Sequence, residues 1–248
     1  MSSSLQQDIP ACLSPASFPT GDLAVVVGAT GGIGAAFVSL LDQSDRFARV
    51  VALSRSGTPA FDITSEPSVE AAAETLAARD RPVRLVLVAS GLLHGDGLSP
   101  ERSWRELDAA HMARAFAVNA IGPALLMKHL LPLLPREGKS AFAVLSARVG
   151  SIGDNRLGGW YSYRASKAAL NQLVRTAAVE LARRRPDAVC VALHPGTVAT
   201  ALSSPFTKTG LDVQSPDEAA TRLLAVLDGL EPRHSGGFFD HRGKPIPW

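Results

Sequence analysis

Cysteine is scarce in this chain, and so are the features that mark several whole classes of protein. Two cysteines in 248 residues, Cys12 and Cys190, do not make a disulfide framework, and a reducing compartment is the default. Cys190 lies in the apolar run 188–193 and reads as a small core residue. An excess of one charge is also lacking, because 25 basic and 23 acidic residues leave a net +2 with the basic side chains scattered. A nucleic-acid binder would carry a basic stripe or cluster. The nearest approach, Arg183-Arg184-Arg185, follows a long helical pattern, where cations at the C-terminus suit the helix dipole. Residues 1–20 have neither a basic start nor an apolar core, which argues against an ordinary signal peptide. No apolar stretch reads as long and charge-free enough to span a bilayer. The six histidines, among them His94, His111 and His194, show no ligand spacing, so no metal is expected. These absences leave a soluble, cytoplasmic protein with no nucleic-acid or membrane partner as the expectation.

What is present is an α/β pattern. Residues 1–20 are expected to form a loosely ordered arm, and 21–248 one domain, large enough to bury a core without staples. Residues 23–27 are apolar without alternation, as a strand covered on both faces should be, and similar runs recur at 50–53, 85–88, 141–145 and 188–193. Helical signals separate them. Ser99-Pro100 reads as an N-cap with proline at the first helical position. Ser215-Pro216-Asp217-Glu218 is a capping box opening a helix over 219–227, with Gly229 placed as a stop. Residues 158–185 read as a loop running into a long helix. Strand–helix alternation implies a doubly wound parallel sheet of Rossmann type, in a single domain with helices on both faces.

The first strand runs into Gly28-Ala29-Thr30-Gly31-Gly32-Ile33-Gly34 and then an apolar helix. Glycine lets the chain turn tightly and approach a phosphate, and the helix N-terminus offers free N–H groups to it. In that position the cluster reads as a dinucleotide site. The second strand ends on Ser54-Arg55-Ser56 without a carboxylate, which favours NADP over NAD if Arg55 meets the 2′-phosphate; Arg55 can equally be a solvated loop residue.

The chain has two tyrosines, and one has a lysine four residues on: Tyr163 and Lys167 share a helix face, whereas the fourth neighbour of Tyr161 is Ala165. A fixed cation lowers a phenol pKa from about 10, so such a phenol can exchange a proton with a carbonyl or alcohol oxygen. Taken alone, the pair would be an ordinary surface pair.

The Gly-x-x-x-Gly-x-Gly turn, the Tyr-x-x-x-Lys pair and Pro195-Gly196-x-x-x-Thr200 together resemble the short-chain dehydrogenase/reductase family, over nearly the whole chain after residue 20. Gly150-Ser151-Ile152 and the tail from Gly236 to Trp248 resemble its C-factor and carbonyl-reductase-like branch. The resemblance implies an NADP-dependent oxidoreductase moving hydride between nicotinamide and a carbonyl or alcohol carbon of a small molecule. It implies Tyr163 as general acid/base, Lys167 as ribose ligand and pKa modulator, and Asn119 as holder of a relay water; a polar residue at a kink near Pro123 is the plainer reading of Asn119. Val198 and Thr200 would meet the carboxamide and pyrophosphate, and Asp62-Ile63 the adenine, although Asp62 can simply cap a helix.

Two places depart from the family pattern. Its Asn-Asn-Ala-Gly falls on Val88-Ala89-Ser90-Gly91, where only the glycine is kept. Its carbonyl-polarising serine, second of a Ser-Ser pair, falls on Ala147. Ser146 is adjacent but should point to the other face of an unbroken strand; Ser151 is the alternative, and no serine at all the third. A non-catalytic NADP-binding regulator is accordingly the rival reading, and an epimerase working through a transient ketone another. Apolar stretches at 125–134 and 168–181 suggest, by the family's habit, a homodimer or homotetramer.

Overall fold

The computed structural model describes residues 15–95, 97–206 and 212–248. Its elements run β1 (Asp22–Val27), α1 (Gly32–Asp42), β2 (Phe47–Leu53), α2 (Glu66–Ala77), β3 (Val83–Val88), α3 (Ala109–Phe116), α4 (Gly122–Leu130) and β4 (Ser140–Leu145). They continue with α5 (Tyr161–Leu181), β5 (Ala188–His194), the two-residue β6 (Thr197–Val198) and β7 (Val213–Gln214), α6 (Pro216–Gly229) and β8 (Phe238–Asp240). Six strands form one sheet in the order β2-β1-β3-β4-β5-β8, every pair parallel.

Strand alternation explains why the apolar runs lack it in sequence. In β1, Leu23, Val25 and Val27 face one core and Ala24 and Val26 the other. The same division holds in β4, with Phe142 and Val144 on one side and Ala141 and Ala143 on the other. A strand buried on both faces needs apolar residues at every position. One core takes side chains from α2, α4 and α5; the other takes them from α1 and α6. The chain leaves β1 towards β2 and resumes beyond β1 at β3, so the carboxyl ends of β1 and β3 flank the point where a doubly wound sheet binds ligands.

Several boundaries differ from those read in the sequence. Of the expected arm, residues 1–14 and hence Cys12 lie outside the described residues, while residues 15–20 are tied down. Phe18 is buried in the α1/α6 core, and Ser17 Oγ donates to Asp228 at 2.6 Å. No α-helix opens at Ser99-Pro100; a single 3-10 turn stands at Trp104–Glu106, and α3 starts only at Ala109, with Asp108 accepting from His111 N at 2.7 Å. The intervening segment is drawn away by Glu101, whose backbone and carboxylate serve α5 instead. Strand β8 was missed because three residues between glycines carry no pattern. The stretch Ala109–Leu133 is, by length and composition, apolar enough to cross a membrane, contrary to the sequence reading, with 18 consecutive residues of mean hydropathy 1.3. In the fold it is the α3–α4 layer against α2 and α5.

The capping box is present as read, with Ser215 Oγ accepting from Glu218 N at 3.2 Å and Glu218 accepting from Ser215 N at 2.7 Å. Replacing Ser215 with alanine should cost about 1 kcal/mol. That corresponds to a thermal midpoint roughly 2–4 °C lower, with Ser215→Thr near wild type. Equal midpoints for wild type and Ser215→Ala would show that the box is dispensable.

Candidate active site

Gly28 ends β1 at φ +81°, a left-handed conformation, and a Cβ there would lie 2.8 Å from Ser90 N. The turns after β1 and β3 are therefore in direct contact. Gly31 precedes α1 with no side-chain cap, leaving the first N–H groups of the helix free. Gly34 must be glycine because a Cβ would sit 2.1 Å from Gly28 O, while Thr30 and Ile33 complete the turn. Gly32 approaches Thr200, its added Cβ falling 2.8 Å from Thr200 Cγ2, so the loop after β5 closes on the glycine turn. In that loop Pro195 O accepts from Gln214 Nε2 at 3.0 Å, Gly196 lies at φ +81°, and Val198 is buried. Thr200 N donates to Ser203 Oγ at 3.2 Å. Burial pushes His194, ahead of Pro195, down to about 4, so it stays neutral.

Asn119 joins the helices to the sheet. It sits in a single π turn, Ala117–Ile121, between α3 and α4, and is completely buried. Its Oδ1 accepts from Leu92 N at 2.8 Å, and its Nδ2 donates to Leu92 O at 2.8 Å and Ser166 Oγ at 3.0 Å. The plainer reading of Asn119, a hydrogen-bonded polar residue at an irregularity of the helix ahead of Pro123, matches this geometry: a π turn widens the helix and re-aims the side chain. Gly91 lies between the two groups, since a Cβ on it would be 3.7 Å from Asn119 Oδ1 and 3.8 Å from Lys167 Nζ.

On α5, Tyr163 and Lys167 are buried together, with Lys167 Nζ 5.8 Å from the tyrosine ring centroid. The ammonium donates to Leu145 O at 2.9 Å, which ties it to the end of β4. The expected lowering of the tyrosine pKa is not what this structure shows. Burial pushes the Tyr163 phenol up to about 12 and the Lys167 ammonium down to about 8. Desolvation disfavours the charged form of each, and the ammonium lies over the ring and bonds to a carbonyl rather than to the phenol oxygen.

Ser146 is buried and donates to Asn171 Oδ1 at 2.7 Å, while its own N–H extends the β4–β5 ladder to Leu193 O. Its hydroxyl proton is committed to the interface between β4 and α5. Ala147 takes the next, extended position. Ser151 is buried too and accepts from Asp154 N at 3.1 Å. At the other end of the cleft Arg55 is exposed, and Asp62 accepts from Thr64 N at 2.9 Å, forming a turn ahead of α2, whose N-cap is Ser65. Hydrogen bonds from Thr64, with Arg55 adding a smaller pull, hold the Asp62 carboxyl below its usual range. Ile63 packs against the start of α4, where Gly122 leaves it room.

Two residues at the start of α5 were not legible in the sequence. Glu101 is almost fully buried; its carboxylate accepts from Ser162 N at 3.2 Å and from Ser162 Oγ, and lies 3.7 Å from His111 Nδ1. Burial raises its pKa, but the hydrogen bonds from Ser162 outweigh this and leave it below the usual range. It caps α5 across 61 residues, a distance at which no sequence window operates. Trp160, whose N–H donates to Glu101 O at 2.5 Å, holds φ +52° after two glycines that are also left-handed. For a non-glycine residue that conformation costs roughly 1–2 kcal/mol.

The fold is that of the dinucleotide-dependent oxidoreductases, and known proteins share it. The family model for short chain dehydrogenases matches residues 22–210, and the chain belongs to that family. The C-signal of Myxococcus xanthus is 42% identical over 145 residues, 58% of this chain and 82% of that protein. A 1-hydroxy-2-glutathionyl-2-methyl-3-butene dehydrogenase of Rhodococcus sp. (strain AD45) is 35% identical over 191 residues, 77% of this chain and 79% of the relative. Among solved structures, the NADPH-bound carbonyl reductase from chicken fatty liver superposes with a TM-score of 0.81 at 27% identity, covering 96% of this chain and all of the other.

Lys167 supplies a test of the buried pair. A lysine whose folded pKa (about 8) lies below its ordinary 10.5 binds its proton more weakly when folded, so stability rises with pH between those values. Relative to Lys167→Met, wild type should therefore gain stability as pH rises from about 8 to 10.5. Denaturant melts of both proteins across that range measure it, and a constant difference would contradict the burial argument.

Proposed function

We propose that this protein reduces a carbonyl group of a small molecule, or oxidises the corresponding alcohol, with NADP as its dinucleotide. The observation that carries the reading is the convergence of Asn119 Oδ1 and Lys167 Nζ on the space at Gly91, with Tyr163 one helical turn from Lys167. The residues present suit a dinucleotide. Glycines 28, 31, 32 and 34 leave a backbone cradle that side chains would fill, and the uncapped start of α1 suits a pyrophosphate. Ser90 and Gly91, Pro195 to Thr200, and Asp62-Ile63 line the same side of the sheet, at the carboxyl ends of its strands. Exposed Arg55, with no carboxylate at the end of β2, suits the 2′-phosphate. The NADPH held by the carbonyl reductase from chicken fatty liver supports this choice.

Bound there, the nicotinamide supplies or receives the hydride. Tyr163 holds its proton through the neutral range and would give it to the carbonyl oxygen. Lys167 carries its charge below about pH 8 and, by the family pattern, holds the ribose. Asn119 uses its amide to bind Leu92 and Ser166, so its part is to position the loop after β3 against α5. Ala147 has no hydroxyl and that of Ser146 is turned to Asn171, which leaves Tyr163, with Ser151 as the remaining serine, to polarise the carbonyl. The same observation favours the second reading, a protein that binds NADP without turnover.

Oxidation of NADPH against a panel of aldehydes and ketones decides between them. Tyr163→Phe should lower kcat by about 10²–10⁴ without loss of cofactor binding; equal rates in both proteins would remove tyrosine from the chemistry. Ala147→Ser should raise kcat, by up to the roughly 10²–10³ that one oxyanion donor is worth. No gain from that substitution would mean that the carbonyl is polarised by another group. Cofactor binding with no turnover of any substrate would favour the second reading. Pairing of the α4 and α5 faces between subunits, as the family does, would make a homodimer or homotetramer in solution.

A further inference from the structure

Beside Tyr163 lies a row of rings that the proposed chemistry does not use. Trp160 meets Tyr163 edge to face, centroids 6.2 Å apart and planes at 75°. Phe206 meets Trp160 at 5.1 Å and 66°, and His94 meets Phe206 at 5.4 Å and 65°. The four come from three separate places: the loop after β3, the start of α5 and the loop after β6. Trp160, Phe206 and His94 are only half-buried, so each keeps open ring surface in a row that ends on the buried Tyr163.

The row is held deliberately at both ends. His94 Nε2 lies 3.0 Å from both Ala201 O and Leu202 O. Two acceptors on one nitrogen require a proton there in either charge state, so the ring is a donor that pins the loop carrying Phe206. At the other end, Trp160 occupies a left-handed backbone position that Gly158 and Gly159, just before it, adopt without strain. A third glycine would be the easier residue there. A bulky side chain kept in a strained conformation points to a use for that side chain.

We propose that Trp160, Phe206 and His94 form the substrate wall of this site and select carbonyl compounds bearing a flat aromatic group next to the reacting carbon. The inference rests on the carbonyl reading above and names its substrate class. Each ring in the row sets its edge against the next ring's face, an arrangement favoured by the aromatic quadrupole. An aryl group continues that pattern, whereas a saturated ring of the same size offers area without a quadrupole. Arg164, next to Tyr163 in the chain, gives its guanidinium to the carbonyls of Gly159, Gly158 and Val149, which ties it to the backbone ahead of α5.

The test compares acetophenone with cyclohexyl methyl ketone under NADPH, and measures binding of the two corresponding alcohols by calorimetry. Wild type should favour the aryl ketone in kcat/KM by roughly three- to tenfold, the range that an aromatic pair adds beyond buried area. Trp160→Gly, which relieves the backbone while removing the ring, and Phe206→Ala should each bring the ratio to about one. Trp160→Phe should keep most of the preference. Turnover without aryl preference, or a preference unmoved by both substitutions, overturns the wall. Aryl alcohol binding that is selective and lost in Trp160→Gly, with no turnover of any ketone, supports the wall and sinks the carbonyl chemistry instead. Absence of both selective binding and turnover removes the wall.

Discussion

The buried amide of Asn119 is the contact on which the site depends. Its three hydrogen bonds reach the loop after β3 on one side and α5 on the other. A buried amide left without partners would cost a large desolvation penalty, so these bonds are strongly specified once the helix is in place. They require the π turn, because a regular helix through 117–121 would aim the side chain elsewhere. From that junction follow the positions of Gly91, Lys167 and Tyr163, which share the space at the end of the sheet.

The two ionisable groups there are tuned by burial more than by each other. Tyr163 keeps its proton and Lys167 releases its own more easily than in water. Desolvation keeps the phenol protonated through the neutral range, while the ammonium keeps its charge below about pH 8. The absence of a cleft-facing hydroxyl at 147 and the commitment of Ser146 to Asn171 mark this chain off from the general pattern of its family. Beside Tyr163 stands a row of aromatic rings, and a buried carboxylate caps the head of α5. Glu101 and Trp160 meet there, so the residue that caps the helix also places the ring beside the tyrosine.

Much of the fold could be read in the chain because strand pairing and helix capping are local or periodic. Five of the six sheet strands appear as apolar runs, and the capping box of α6 is spelled out in four consecutive residues. The Ser99-Pro100 signal misled for the opposite reason: a sound local start was overridden by Glu101, held far along the chain by α5. Phe18 likewise belongs to the core although the composition around it reads as an arm.

The sequence by itself determined the doubly wound sheet, the glycine turn, the Tyr163–Lys167 pair and the family, since each rests on short local patterns and on their order along the chain. Only the tertiary structure decided where the serine hydroxyls go, that burial governs the tyrosine pKa, and which aromatic rings stand beside it. Those outcomes depend on contacts between segments distant in the chain, such as His94 with the loop of Phe206. Side-chain direction and desolvation are properties of the packed interior, and no local pattern encodes them.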